Sequence, residues 1–90
     1  MVRKFRDDEA GYLLWVQENQ TGYVVNVDDP QRTLQYPMVH LASHKVISSA
    51  VRTNYTTGRY LKYCSCSLEE LELWSQENHG RALTRCMQCM

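Results

Sequence analysis

No stretch of the chain approaches the run of about 18 apolar residues that a membrane-spanning helix needs, so a membrane partner is not expected. Arg3, Lys4 and Arg6 near the start have no apolar stretch behind them; a secretory signal is not expected, and a cytoplasmic location is. No pair of carboxylates sits in a catalytic motif, and no nucleophile stands beside a base, so an enzyme is not expected. Low-complexity runs and linkers are also missing. With 90 residues, the chain reads as one domain over residues 1–90.

A further absence is local. Residues 30–68 contain no Asp or Glu, and they carry Arg32, Lys45, Arg52, Arg59 and Lys62, a net charge of +5. The flanks oppose them: residues 1–29 have a net of −3 and residues 69–80 a net of −4, and with Arg81 and Arg85 adding +2 the whole chain sums to zero. The acid-free stretch also holds Tyr36, Tyr55, Tyr60 and Tyr63. Cations interleaved with aromatics suit a polyanion with stackable bases. They equally suit a sheet whose basic exposed positions pair with the acidic helix beside it.

What is present supports a small α+β fold. Asp7 or Asp8 is placed to cap a first helix over residues 8–19, with acids in its first turn and Gly22 as a stop. Ala10, Leu13, Leu14, Trp15 and Val16 give that helix a broad apolar surface. Residues 23–27 are β-branched and aromatic and read as a strand, ended by Asp28-Asp29-Pro30. Residues 38–41 and 59–64 read as two further strands. A second helix begins at a capping box of Ser67 and Glu70, presents Leu68, Leu71 and Trp74 with Leu73 beside them, and stops at Gly80. Trp15-Val16-Gln17-Glu18-Asn19 is echoed by Trp74-Ser75-Gln76-Glu77-Asn78. Nothing else aligns, so two helices solving the same end-capping problem is the simpler reading.

A chain of this size buries only about 60–65% of the surface it exposes when unfolded, so a staple beyond the apolar core is expected. Four cysteines and three histidines can supply one. Cys86-x-x-Cys89 is the sharpest motif, since a tight turn aims both sulfurs at one ion. The other half of a tetrahedral zinc site is open between His44 with Cys64 and Cys64 with Cys66. Two disulfides or free buried thiols are the remaining reading, disfavoured in a reducing compartment. His40, on a strand, reads first as a core histidine.

The residues Gly22-Tyr23-Val24-Val25-Asn26, Tyr36-Pro37-Met38-Val39-His40-Leu41-Ala42-Ser43-His44 with Ile47, Thr57-Gly58-Arg59-Tyr60-Leu61-Lys62-Tyr63-Cys64-Ser65, Glu70-Leu71-Glu72-Leu73-Trp74, Leu83 and the Cys86/Cys89 pair form a set. That set resembles a small bacterial zinc-binding module found alone or associated with restriction-type and HNH-nuclease polypeptides. The resemblance covers most of residues 12–90. The family pattern has a His-Arg-Ala-x-Cys element where this chain runs from His40 to His44. Leu41 replaces the arginine, so an anion-binding role at that position does not carry over. His44 replaces the cysteine and keeps a zinc donor. The resemblance therefore implies Zn2+ held by His44, Cys64, Cys86 and Cys89, with Cys66 as an extra thiol.

The expectations are then definite. The fold is a helix, about three antiparallel strands, a second helix and a C-terminal zinc knuckle. The function is non-enzymatic recognition of nucleic acid, DNA first, in a bacterial defence or restriction setting. Lys45, Arg52, Arg59 and Lys62 contact phosphates, and Tyr55 and Tyr60 stack on bases. The alternative is an adaptor that docks on a larger protein partner or belongs to a parent polypeptide, with the zinc purely structural. A small-ligand pocket around His40, Asn26 and His44 ranks last.

Overall fold

The computed structural model describes residues 2–28, 38–43, 56 and 60–87. Along the chain come β1 (Arg3–Phe5), α1 (Glu9–Glu18), β2 (Tyr23–Asp28), β3 (Met38–Leu41), β4 (Tyr60–Ser65), α2 (Leu68–His79) and β5 (Thr84–Arg85). The strands form one sheet in the order β1-β4-β2-β3-β5. All pairings are antiparallel except the last, in which β5 runs parallel to β3.

The expected α+β class and both helices are therefore present, but the sheet has five strands rather than about three. The two extra strands lie at its edges and span three and two residues. Elements that short carry no period-two pattern for a sequence to display. Where a C-terminal zinc knuckle is expected, the described part of the tail is the short parallel strand β5 followed by a turn.

Alternation along the central strand builds the rest. In β2, Val24 points to one face, and Val25 and Val27 point to the other, as successive strand residues must. Val24 joins Phe5, Tyr12, Val16, Ala42 and Cys64 beneath α1. Val25 and Val27 join Val39, Leu61, Leu71 and Leu83 beneath α2, with Leu68, Tyr63 and Trp74 packed on them. Each helix thus covers one sheet face, and Leu68, Leu71 and Trp74 serve as the sequence pattern predicts. On α1 the buried positions are Tyr12 and Val16, while Leu14 faces outward.

The helix ends follow local chemistry. Asp8 is the N-cap of α1 and accepts from the Gly11 N–H at 2.9 Å. On α2, Ser67 Oγ accepts from the Glu70 N–H at 3.2 Å. The other half of the capping box is rerouted: Ser65 Oγ takes the Ser67 N–H at 3.0 Å and donates to Glu70 Oε1 at 2.7 Å. The repeated Trp-x-Gln-Glu-Asn motif has one structural job. Asn19 Nδ2 donates to the Trp15 carbonyl at 2.8 Å, and Asn78 Nδ2 donates to the Trp74 carbonyl at 2.9 Å. Both close the last turn of a helix. Gly80 then adopts φ 66°, the left-handed cap that an L side chain resists. Gly22 is needed for space instead, since a Cβ there would stand 2.8 Å from the Trp15 ring.

His79, at the end of α2, packs edge-on against Trp74 with ring centroids 5.2 Å apart. Burial lowers its pKa, and the Arg81 charge lowers it further. The folded state therefore prefers neutral His79, whereas the unfolded chain takes a proton near the ordinary histidine value of about 6.5. The stability this contributes is present above that value and is lost as pH falls toward the folded-state value. Urea unfolding across this range should show a smaller acid loss for His79→Gln than for the parent chain.

Candidate functional site

Across a ladder, paired residues share a face. Register therefore sets Cys64, Val24 and His40 in one row on the α1 side of the sheet. The next row holds Phe5, Lys62, Asn26 and Met38. This face is more polar than a simple core. Lys62 is 3% exposed, and its Nζ donates to Asn26 Oδ1 at 2.6 Å. His40 is 7% exposed.

Thr56 joins the same side. It is fully buried and tied to the start of α1 by four hydrogen bonds. Its carbonyl accepts from the Asp7 N–H at 2.6 Å, and its Oγ1 accepts from the Asp8 N–H at 2.9 Å. Its own N–H and its hydroxyl both donate to Glu9 Oε1, the hydroxyl at 3.0 Å. Asp7 adopts φ 53° to present its N–H, a left-handed conformation that aspartate tolerates better than most side chains. The latch fixes one point of the acid-free basic segment to the N-terminus of a helix.

Several expected site residues find different places. Lys62 leaves the set of phosphate contacts, because an ammonium that reaches phosphate must be at the surface and this one is bonded inside. Lys45, Arg52, Tyr55 and Arg59 lie outside the described residues. Tyr60 opens β4, where its backbone pairs with that of Asp28. Sequence reasoning passed over three cations. Arg3, Lys4 and Arg6 are exposed on and just after the edge strand β1, which pairs with β4. Their position among the acids of residues 1–29 hid them, and only the pairing carries them to the basic segment.

Cys64 is fully buried in the core under α1. Burial pushes its thiol far above the ordinary range; the charges of Lys62 and Arg3 pull the other way without overcoming it. Cys86 is also buried, just after β5, and its N–H donates to the Val39 carbonyl at 2.9 Å. The expected zinc set requires these two sulfurs to meet at one ion. The strand order does not bring them together, because β2 and β3 lie between. His44 and Cys89 fall outside the described residues, among which no group of three or more metal-binding side chains occurs. Cys66 is exposed, its thiol donating to Asn19 Oδ1 at 3.2 Å.

No family model, curated protein or solved structure matches the chain. The functional reading therefore rests on its own residues.

Thr56→Val keeps the shape of the side chain and removes two hydrogen bonds, leaving the Asp8 N–H without its acceptor and Glu9 Oε1 with the Thr56 N–H alone. Urea unfolding should show a loss of about 2–3 kcal/mol, with Thr56→Ser close to the parent.

Proposed function

We propose that the chain is a non-enzymatic recognition module that binds nucleic acid, DNA first, in a bacterial defence or restriction setting in the cytoplasm, with zinc stabilising its C-terminal part. One observation carries the nucleic-acid reading. The β1–β4 pairing sets exposed Arg3 and Lys4, one on each face of the sheet, beside the last strand of the acid-free segment, with exposed Arg6 just after β1. Cations at an edge beside a basic, tyrosine-bearing segment have the charge and stacking chemistry that a nucleic-acid strand requires. In this reading Arg3, Lys4 and Arg6 join Lys45, Arg52 and Arg59 on phosphates, and Tyr55 or Tyr60 stacks. Lys62 acts from inside, holding Asn26 and the sheet face in place.

Fluorescence anisotropy with a labelled duplex tests this. With roughly five or six phosphates engaged, log affinity should fall against log salt with a slope near −5. Replacing Arg3, Lys4 and Arg6 together by Gln should flatten that slope by about 2–3. Affinity indifferent to salt, or no binding to duplex or single strand, overturns the reading.

The adaptor reading has an observation of its own. A groove of 520 Å³ lies between α2 and β5, lined by Leu68, Glu69, Glu72, Leu73, Gln76 and Arg85. Leu73 is 60% exposed there, and the acidic rim repels a polyanion. If this surface is the working one, a pull-down recovers one stoichiometric protein. That capture survives nuclease treatment and is lost in Leu73→Asp.

A further inference from the structure

We infer that the open side of β5 is a docking edge: an extended, basic segment of a partner protein adds to it as an antiparallel strand and seats its side chains in the groove beside α2. This goes beyond the nucleic-acid reading and rests on the adaptor reading, whose partner it specifies.

Strand order leaves one side of β5 open. β5 ends the sheet, with β3 on its inner side. The Cys86 N–H donates inward to the Val39 carbonyl at 2.9 Å, and Val39 pairs with Arg85. Backbone groups alternate in direction along a parallel strand. The Thr84 and Cys86 groups therefore face β3, and the Arg85 N–H and C=O both face off the edge. Leu83, two residues earlier, points its N–H the same way, and Glu72 Oε1 of α2 accepts it at 3.3 Å. So α2 flanks the open side of β5, and its carboxylate takes up the pairing capacity at Leu83. Arg85 is next along the edge and is exposed, with a donor and an acceptor aimed at a neighbouring strand. An antiparallel partner meets both with one residue, which suits a strand two residues long.

The groove supplies what so short an edge lacks. It holds 520 Å³ beside Arg85, and α2 lines it with Leu68, Glu69, Glu72, Leu73 and Gln76. From Leu68 to Gln76 the helix rises roughly 12 Å. About five extended residues span that length. Paired residues share a face, so the residue opposite Arg85, with those two before and two after it, turns its side chain into the groove. Leu73, 60% exposed, offers the middle one an apolar seat. Charge sets the flanks. Glu69 and Glu77 stand four residues to either side of Leu73, hence on its stripe of the helix, and residues 69–80 carry a net of −4. A segment with lysine or arginine two residues to each side of an aliphatic one matches this groove in shape and charge. A nucleic-acid strand does not, because its phosphates would meet the carboxylates. In such strand addition the main-chain bonds hold the segment and the side-chain seats select it.

The probe is a labelled, capped peptide, Lys-Thr-Leu-Thr-Lys, titrated with the full chain by fluorescence anisotropy. It should bind, and its counterpart with glutamate for both lysines should bind about tenfold more weakly or worse. N-methylation of the central leucine removes the N–H that meets the Arg85 carbonyl and should weaken binding about tenfold. Arg85→Pro removes the outward donor, spares the ladder to β3 and should give a similar loss. If that variant misfolds, the methylated peptide still decides, because the protein is unchanged. Amide exchange at Arg85 should slow when the peptide binds.

No binding of the parent peptide overturns the proposal, as does equal binding of the methylated or the glutamate peptide. An Arg85 amide already slow in the free chain also overturns it. Protection that rises with protein concentration then assigns the edge to a second copy, and protection independent of concentration shows an edge already paired. The adaptor reading falls separately. Capture lost in Leu73→Asp but kept in Arg85→Pro overturns strand addition and leaves an adaptor; no capture by the parent chain removes the adaptor as well.

Discussion

The two-sided burial of β2 is the constraint on which the rest of the molecule depends. Val24 and Val25 are neighbours in sequence, both fully buried, and face opposite ways. Complete burial of such side chains contributes roughly 1.5–3 kcal/mol each, a large share for so small a chain. A strand apolar on both faces needs a cover on both, and α1 and α2 are those covers. Once β2 is central, β4 and β3 must flank it, and the short strands β1 and β5 are left to the edges.

The two faces are finished differently. The α2 side is apolar and aromatic, with Tyr63 against Trp74 at 4.3 Å between ring centroids. The α1 side carries the Lys62–Asn26 bond, His40 and the Thr56 latch. A buried ammonium is tolerable only when its hydrogen bonds are supplied, and Asn26 supplies one from the strand opposite. That bond fixes the pairing of β2 with β4 more selectively than valine contacts do, since a one-residue slip would turn Asn26 to the other face. The latch does the same for the chain before β4, holding Thr56 against the helix start.

Edge strands give the molecule its surface character. β1 brings Arg3 and Lys4 to one edge of the sheet, with Arg6 just after it, and β5 leads into Cys86 at the other. Neither edge has the length to be stable alone. Each is held by something beyond its ladder: β1 by Phe5 inserted under α1, stacked edge-on with Tyr12 at 5.9 Å, and β5 by Leu83 beneath α2.

Local chemistry is strong enough that the sequence alone determined both helices, a first cap at Asp7 or Asp8, the caps at Ser67 and Gly80, the three longer strands and the apolar stripe of α2. Each of these depends on residues within one or two turns or on a simple period. Tertiary structure alone decided which distant residues meet. That Lys62 turns inward follows from Asn26, 36 positions earlier. That Arg3 and Lys4 lie beside β4 follows from a three-residue pairing across most of the chain. That Cys86 neighbours His40 rather than Cys64 follows from strand order. Spacing along a chain carries no information about the order of strands in a sheet; the competition among faces seeking cover sets that order, and it is settled only when the whole sheet assembles.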